Sequence, residues 1–191
     1  MRKLLMSTLI VAMLACSPLA AQGLKSCMMV GPYAGYTIGF GDAFDDYEIG
    51  NVKYSNGPNL NFGGNIHYGL SDKMMIGGDL YVQRYSGSAE GPGIDISESD
   101  TELNFLFSGL YALSYMKASM LLLNAGAGIY GDESTEFGIY GGIMYEKMVG
   151  RTMSLFVNPR LHFVLADETV TMLQLAVGLH FWLGNTGSPM N

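Results

Sequence analysis

The sequence predicts an all-β protein, a closed, eight-stranded, antiparallel, up-and-down transmembrane β-barrel. Three observations carry that expectation. Beyond residue 28 the chain alternates apolar and polar residues with a period of two, the mark of strands with one greasy face. Eight segments do so, and their lengths lie close to the ~9–11 residues that a tilted strand needs to cross a bilayer. The connections between them are alternately short and long, which is the layout of a barrel held between two compartments.

The first segment precedes the barrel. Arg2 and Lys3 open an apolar stretch over residues 4–15, and Leu19-Ala20-Ala21-Gln22 closes it with small residues. That three-part pattern predicts a secretory signal peptide over residues 1–21, cleaved after Ala21. Its apolar part is shorter than the ~20 residues of a membrane-spanning helix. Met13-Leu14-Ala15 before Cys16 offers a lipoprotein signal as the competing reading, on a poor match to that motif. Residues 22–191 are then the barrel domain, about one domain in length.

The strands follow in order at residues 29–41, 59–70, 74–85, 102–114, 120–130, 137–146, 154–165 and 173–183. In the second, Leu60, Phe62, Ile66, Tyr68 and Leu70 share one face, with Asn59, Asn61, Gly63, Asn65 and His67 on the other. In the last, Leu173, Leu175, Val177, Leu179, Phe181 and Leu183 alternate with Gln174, Ala176, Gly178, His180 and Trp182. Short turns are expected at 71–73, 115–119 and 147–152, and longer loops at 42–57, 86–101, 131–136 and 166–170. All but three of the 17 acidic residues lie in or beside the longer loops. Lys73, Lys117, Lys147 and Arg151 mark the turns.

Composition decides which face is outside. The chain is 49% hydrophobic and only 14% charged, against ~25% charged in an ordinary soluble domain. A water-exposed strand face would carry Lys, Glu and Arg. Here the polar face holds Gly35, Asn61, Asn65, Gly77, Ser108, Asn124, Gly142, Asn158 and Gly178, which suits a crowded interior. The apolar face must then meet lipid. Tyr68, Tyr111, Tyr145 and Phe181 near the turns, and Phe40, Phe62, Phe105, Phe137 and Phe163 near the loops, form two aromatic girdles. Closure is required because lipid offers no partner for the backbone of an open edge.

The chain resembles the small eight-stranded outer-membrane barrels of the OmpX/Ail and opacity-protein type. The resemblance spans residues 28–184 and rests on this pattern and on turns such as Tyr68-Gly69-Leu70-Ser71-Asp72-Lys73. Gly178, Phe181 and Leu183 resemble the C-terminal signal read by the barrel-assembly machinery, although residues 184–191 follow it. The resemblance implies a cell outer membrane location, the lipid bilayer and lipopolysaccharide as surroundings, and a non-enzymatic surface protein. A host or cell-surface partner is open.

Function is less legible. Asp79, Glu146, Arg160, His67, His162 and His180 fall on the inward face. With Asn65 they are expected to form a polar lumen network in which Asp79 pairs with Arg160, since buried charge needs a partner. His162 lies near the loops and His67 and His180 near the turns, so no single metal site can use all three. No cofactor is expected. The acidic loops are the expected binding surface, with Asp45, Asp46, Tyr47 and Glu48 as the candidate patch. That patch concentrates carboxylates without the spacing of an EF-hand. Phe44, Ile49, Tyr54, Ile94 and Ile96 add apolar anchors of the kind partner binding uses. The alternatives are an outer-membrane lipid-modifying enzyme, which would need a nucleophile and base within reach of each other, and a soluble periplasmic lipocalin-like binder of an apolar ligand. Net charge is −7 for the whole chain, and a protein this acidic is a poor nucleic-acid binder.

Overall fold

The computed structural model describes residues 23–40, 47–49, 52–56, 59–92, 94–116, 118–131, 135–165 and 169–184. The expected signal at 1–21 lies outside the described residues. Among the described residues ten strands are present: β1 Cys27–Phe40, β2 Tyr47–Ile49, β3 Val52–Asn56, β4 Asn59–Gly69, β5 Met74–Gly91, β6 Ile94–Met116, β7 Ser119–Tyr130, β8 Glu136–Met148, β9 Met153–Leu165 and β10 Val170–Gly184. Eight of them, all but β2 and β3, form the barrel. Each pairs antiparallel with its chain neighbour, and β1 closes the ring against β10 from Cys27 opposite Gly184 to Phe40 opposite Thr171. Every strand in the ring therefore has two partners, which is what hydrocarbon demands of the backbone.

The inside-out assignment holds along every barrel strand. Phe62, Leu80, Phe107, Ile139 and Leu165 are each more than half exposed on the outer surface. Asn61, Asn65, Ser108, Asn124, Asn158 and Gln174 are buried inside. The girdle residues Tyr68, Tyr111, Tyr145, Phe40, Phe105 and Phe137 all face out. A soluble binder of an apolar ligand needs the opposite arrangement, so that alternative is overturned.

Two loop expectations are corrected. Residues 86–101 are mostly strand, because β5 and β6 pair without a break up to Gly91 opposite Ile94. Residues 47–56 hold the small hairpin β2–β3, and β3 pairs with β5 from Lys53 opposite Glu90 to Asn56 opposite Gly87. The physical reason is shared. Above the membrane both faces of a strand are wet, so the apolar period stops while the hydrogen-bond ladder continues. The result is a wall of paired strands standing above one side of the barrel.

The turn end is closed. Leu24 N–H donates to the Asp72 carbonyl at 3.2 Å and Ser26 N–H to the Gly69 carbonyl at 2.9 Å, which tucks the segment before β1 under the barrel. Leu24 is fully buried, with Met29, Met75, Met120 and Met144 among the buried apolar residues. Gly69 makes the approach possible, since a Cβ there would lie 1.7 Å from the Leu24 carbonyl oxygen.

Candidate functional site: the barrel lumen and its mouth

Alternation aims one residue in two from each strand into the lumen, and the inward residues stack in layers. At mid-height Arg160 on β9 reaches Asp79 on β5, with Nη1 donating to Oδ1 at 3.1 Å. Their exposures are 1% and 2%. The guanidinium lies 5.4 Å from the Tyr33 ring centre and 5.7 Å from that of Tyr140, within range of cation–π attraction. Tyr33 also stands near the Tyr81 and Phe156 rings. Gly142 on β8 leaves the room this needs. A Cβ there would come within 2.2 Å of the Pro159 carbonyl oxygen and 3.0 Å of the Arg160 Cγ.

Toward the turns, Glu146 organises a second layer. Its Oε1 accepts from Ser154 Oγ, from His180 Nδ1 at 3.1 Å and from Trp182 Nε1 at 3.1 Å. His180 stacks on Phe156 with ring centres 4.0 Å apart. The set has the composition of a hydrolytic triad without its wiring, because Ser154 bonds the carboxylate and not the imidazole. Glu146, Ser154 and His180 are fully buried.

Toward the loops, His162 Nδ1 shares a hydrogen bond of 2.7 Å with the Tyr130 hydroxyl and stacks on Tyr140. Above this layer lies a cavity of about 300 Å³ at the barrel mouth. Its lining includes Asp100, Glu102 and Glu136, with Tyr85 and Tyr130, and with Val164, Val170 and Met172 as the apolar part. Tyr85 Oη and Gln83 Nε2 both point at the Met172 thioether, 4.0 Å away. Among the described residues no Lys or Arg lines the cavity.

Set against the expected network, the structure brings Asp79 and Arg160 into direct contact and puts Asn65 opposite Asp79 on the neighbouring strand. His67 belongs to the layer below, where Nε2 meets Ser108 Oγ at 2.6 Å. His162 belongs to the layer above. The three histidines do not meet, and among the described residues no group of three or more His, Cys, Asp or Glu is placed to hold a metal ion. In the expected loop patch, Asp45 and Asp46 lie outside the described residues. Tyr47 and Glu48 fall in β2, opposite Tyr54 and Lys53 in the backbone register.

Sequence reasoning missed the inward tyrosines Tyr33, Tyr81, Tyr130 and Tyr140. Strand parity alone would have found them, since each shares its strand and parity with an inward position already assigned: Gly35, Asp79, Asn124 and Gly142. It also missed the mouth cavity, which only the extra height of β5 and β6 creates.

No protein-family model matches the sequence, and neither does any curated protein. Solved structures do resemble the fold. The chain is similar to Neisserial surface protein A (NspA) at 12% identity, covering 82% of this chain and 99% of that one, with a TM-score of 0.57. It is similar to the outer membrane protein OprG from Pseudomonas aeruginosa at 11% identity, covering 86% of this chain and 100% of that one, with a TM-score of 0.52. Likeness at this identity speaks to architecture, that of the small eight-stranded outer-membrane barrels.

Proposed function

We propose that the chain is a non-enzymatic surface protein of a bacterial outer membrane, exported by a signal peptide at residues 1–21 and set in the bilayer among lipopolysaccharide by the barrel-assembly machinery. Its acidic loop side faces outward and binds a partner. The observation that carries this reading is the inverted burial, with polar side chains sealed inside and a continuous apolar belt outside. Such a surface is insoluble in water and at home in lipid. The charge asymmetry agrees, because acidic residues collect at the loop rim and basic residues at the turns. A closed turn end and a filled mid-section argue against a pore, and the sealed Ser154–Glu146–His180 set against lipid hydrolysis. Outer-membrane fractionation together with heat-modifiable migration on an unboiled gel tests the location. Protease accessibility of the loops on intact cells tests the orientation. A monomer that stays folded in plain buffer would sink the reading.

A further inference from the structure

We propose that the outer face of β5 and β6, just above the apolar belt, binds the phosphorylated sugar headgroup of an outer-leaflet glycolipid. Arg84 takes a phosphate there, and the hydroxyls of Ser86, Ser99 and Thr101 meet the phosphate and sugar oxygens around it. This rests on the outer-membrane reading above and gives one of the surrounding lipids a defined seat.

The first observation is the position of one cation. The eight barrel strands carry three Lys or Arg residues, Arg84, Lys147 and Arg160. Arg160 is sealed in the lumen against Asp79, and Lys147 lies near the turn end of β8. Arg84 is exposed. It continues the lipid-facing side of β5 after Leu80 and Val82, while Tyr81 and Gln83 between them are buried. In the backbone register Leu60, Arg84 and Thr101 form one row across β4, β5 and β6. The next row toward the membrane is Phe62, Val82 and Leu103, with Phe62 and Leu103 about half exposed. Phe62 belongs to the loop-side aromatic girdle, so Arg84 stands where hydrocarbon gives way to headgroups. Its stem can lie on the apolar surface while its head meets phosphate.

The second observation is what surrounds it. Above the belt the same face turns from apolar to hydroxyl-bearing without a break in the ladder. Thr101 stands opposite Arg84, Ser99 opposite Ser86, and Ser97 opposite Ser88. Ser97, Ser99 and Thr101 are exposed, and Ser86 and Ser88 half-buried. Arg84 Nη2 donates to Ser99 Oγ at 3.3 Å, which turns the guanidinium along this face. A guanidinium is a planar fork of donors that fits phosphate oxygens. Glu90 opposite Asp95 bounds the face at the top, and carboxylates there hold a phosphate to the rows below.

Continuity and charge choose the occupant. A lipid whose acyl chains lie along Phe62, Val82 and Leu103 brings its headgroup to Arg84 without further movement. The loop side is predominantly acidic and repels an anionic headgroup everywhere but where a cation and neutral hydroxyls meet it. A phospholipid would use the arginine and leave the hydroxyl rows idle, whereas a phosphorylated sugar uses both.

The experiment uses the full chain in detergent micelles, with bound lipid counted by native mass spectrometry. The probes are purified bisphosphorylated lipid A, the same lipid dephosphorylated, and phosphatidylglycerol. Lipid A is expected to bind more tightly than either of the others. Arg84→Gln should weaken lipid A on the order of fivefold and leave the dephosphorylated lipid unchanged. Ser99→Ala/Thr101→Val should weaken lipid A and not phosphatidylglycerol. Lys147→Gln, at the other end of the barrel, should alter neither, and heat-modifiable migration shows each barrel intact. Unchanged lipid A binding in Arg84→Gln, an equal loss in Lys147→Gln, or phosphatidylglycerol binding as tightly as lipid A each overturns the proposal. Fractionation separates the two levels. A chain found in the outer membrane without this dependence on Arg84 sinks the inference alone, and a chain found elsewhere sinks the reading beneath it.

Discussion

The two ends of the lumen are built from the same inward parity of the same strands, yet they are opposite in character. At the turn end Leu24 and four buried methionines shut the barrel, and the buried carboxylate there, Glu146, has three donors on a single oxygen. At the loop end Asp100, Glu102 and Glu136 line a cavity with no Lys or Arg among its described lining residues. Buried charge must be compensated internally, because desolvation otherwise costs more than folding can supply. Charge at an open mouth stays within reach of water, which solvates it. The lower lumen is therefore read as structure and the mouth as solvated surface. Perturbing each layer in turn should show the largest stability effect at mid-height and the smallest at the mouth.

The largest effect belongs to the mid-lumen pair. Arg160→Met leaves the Asp79 carboxylate buried without its cation, and breaking one partner of a buried pair costs about 3–5 kcal/mol. The double replacement Asp79→Leu/Arg160→Met should recover most of that loss. Equilibrium unfolding in urea from lipid vesicles, followed through the one tryptophan of the chain, Trp182, measures both. If Arg160→Met loses less than the double variant does, the two residues are not holding each other and the layered description fails.

Backbone proximity should rank next. Gly142→Val drives a side chain into Pro159 and Arg160, an overpacking expected to cost about 1–3 kcal/mol. Gly109→Ala is the control, since the nearest atom to a Cβ there is the Ala125 carbonyl oxygen at 3.8 Å. Equal stabilities for the two variants would mean that β8 and β9 are not pressed together around Arg160.

How much of this was readable in advance follows from the same contrast. Within the membrane, lipid on one face and a packed lumen on the other impose a strict period of two, so residues 59–70 and 173–183 show their strands and faces plainly. The Asp79–Arg160 contact was also within reach, because a narrow lumen leaves two opposite buried charges few other partners. Above the membrane the constraint vanishes. Residues such as Ser97, Ser99 and Thr101 carry no face preference, so the tall β5–β6 wall and the cavity it creates left no mark in the apolar pattern. The turn-end closure was equally hidden, because Leu24 precedes the first alternating segment and is held in place by backbone bonds to the Asp72 turn and a close approach to Gly69, which leave no apolar period.

Within the turn-end layer, Glu146→Gln keeps the shape and removes the charge. Hydrogen bonds to charged groups contribute about 1.5–3 kcal/mol, and part of that should be lost. Trp182 reports it directly, since its Nε1 donates to Glu146 Oε1 at 3.1 Å. A changed emission spectrum in the folded state, together with a lower unfolding midpoint, is the expected result. An unaltered spectrum would mean that the carboxylate does not hold the indole.

The smallest effect is expected at the mouth, and its smallness is informative. Glu136→Gln removes one of the carboxylates that line the cavity. Substitutions away from the packed interior usually change stability by no more than about 0.5 kcal/mol, and easing repulsion among like charges pushes the sign toward stabilisation. The same urea titration should therefore show an unfolding midpoint equal to or slightly above that of the parent. A clear loss of stability would mean that the Glu136 carboxylate is bonded into the fold as Glu146 is. The mouth would then be one more sealed layer, and the difference between the two ends of the lumen would disappear.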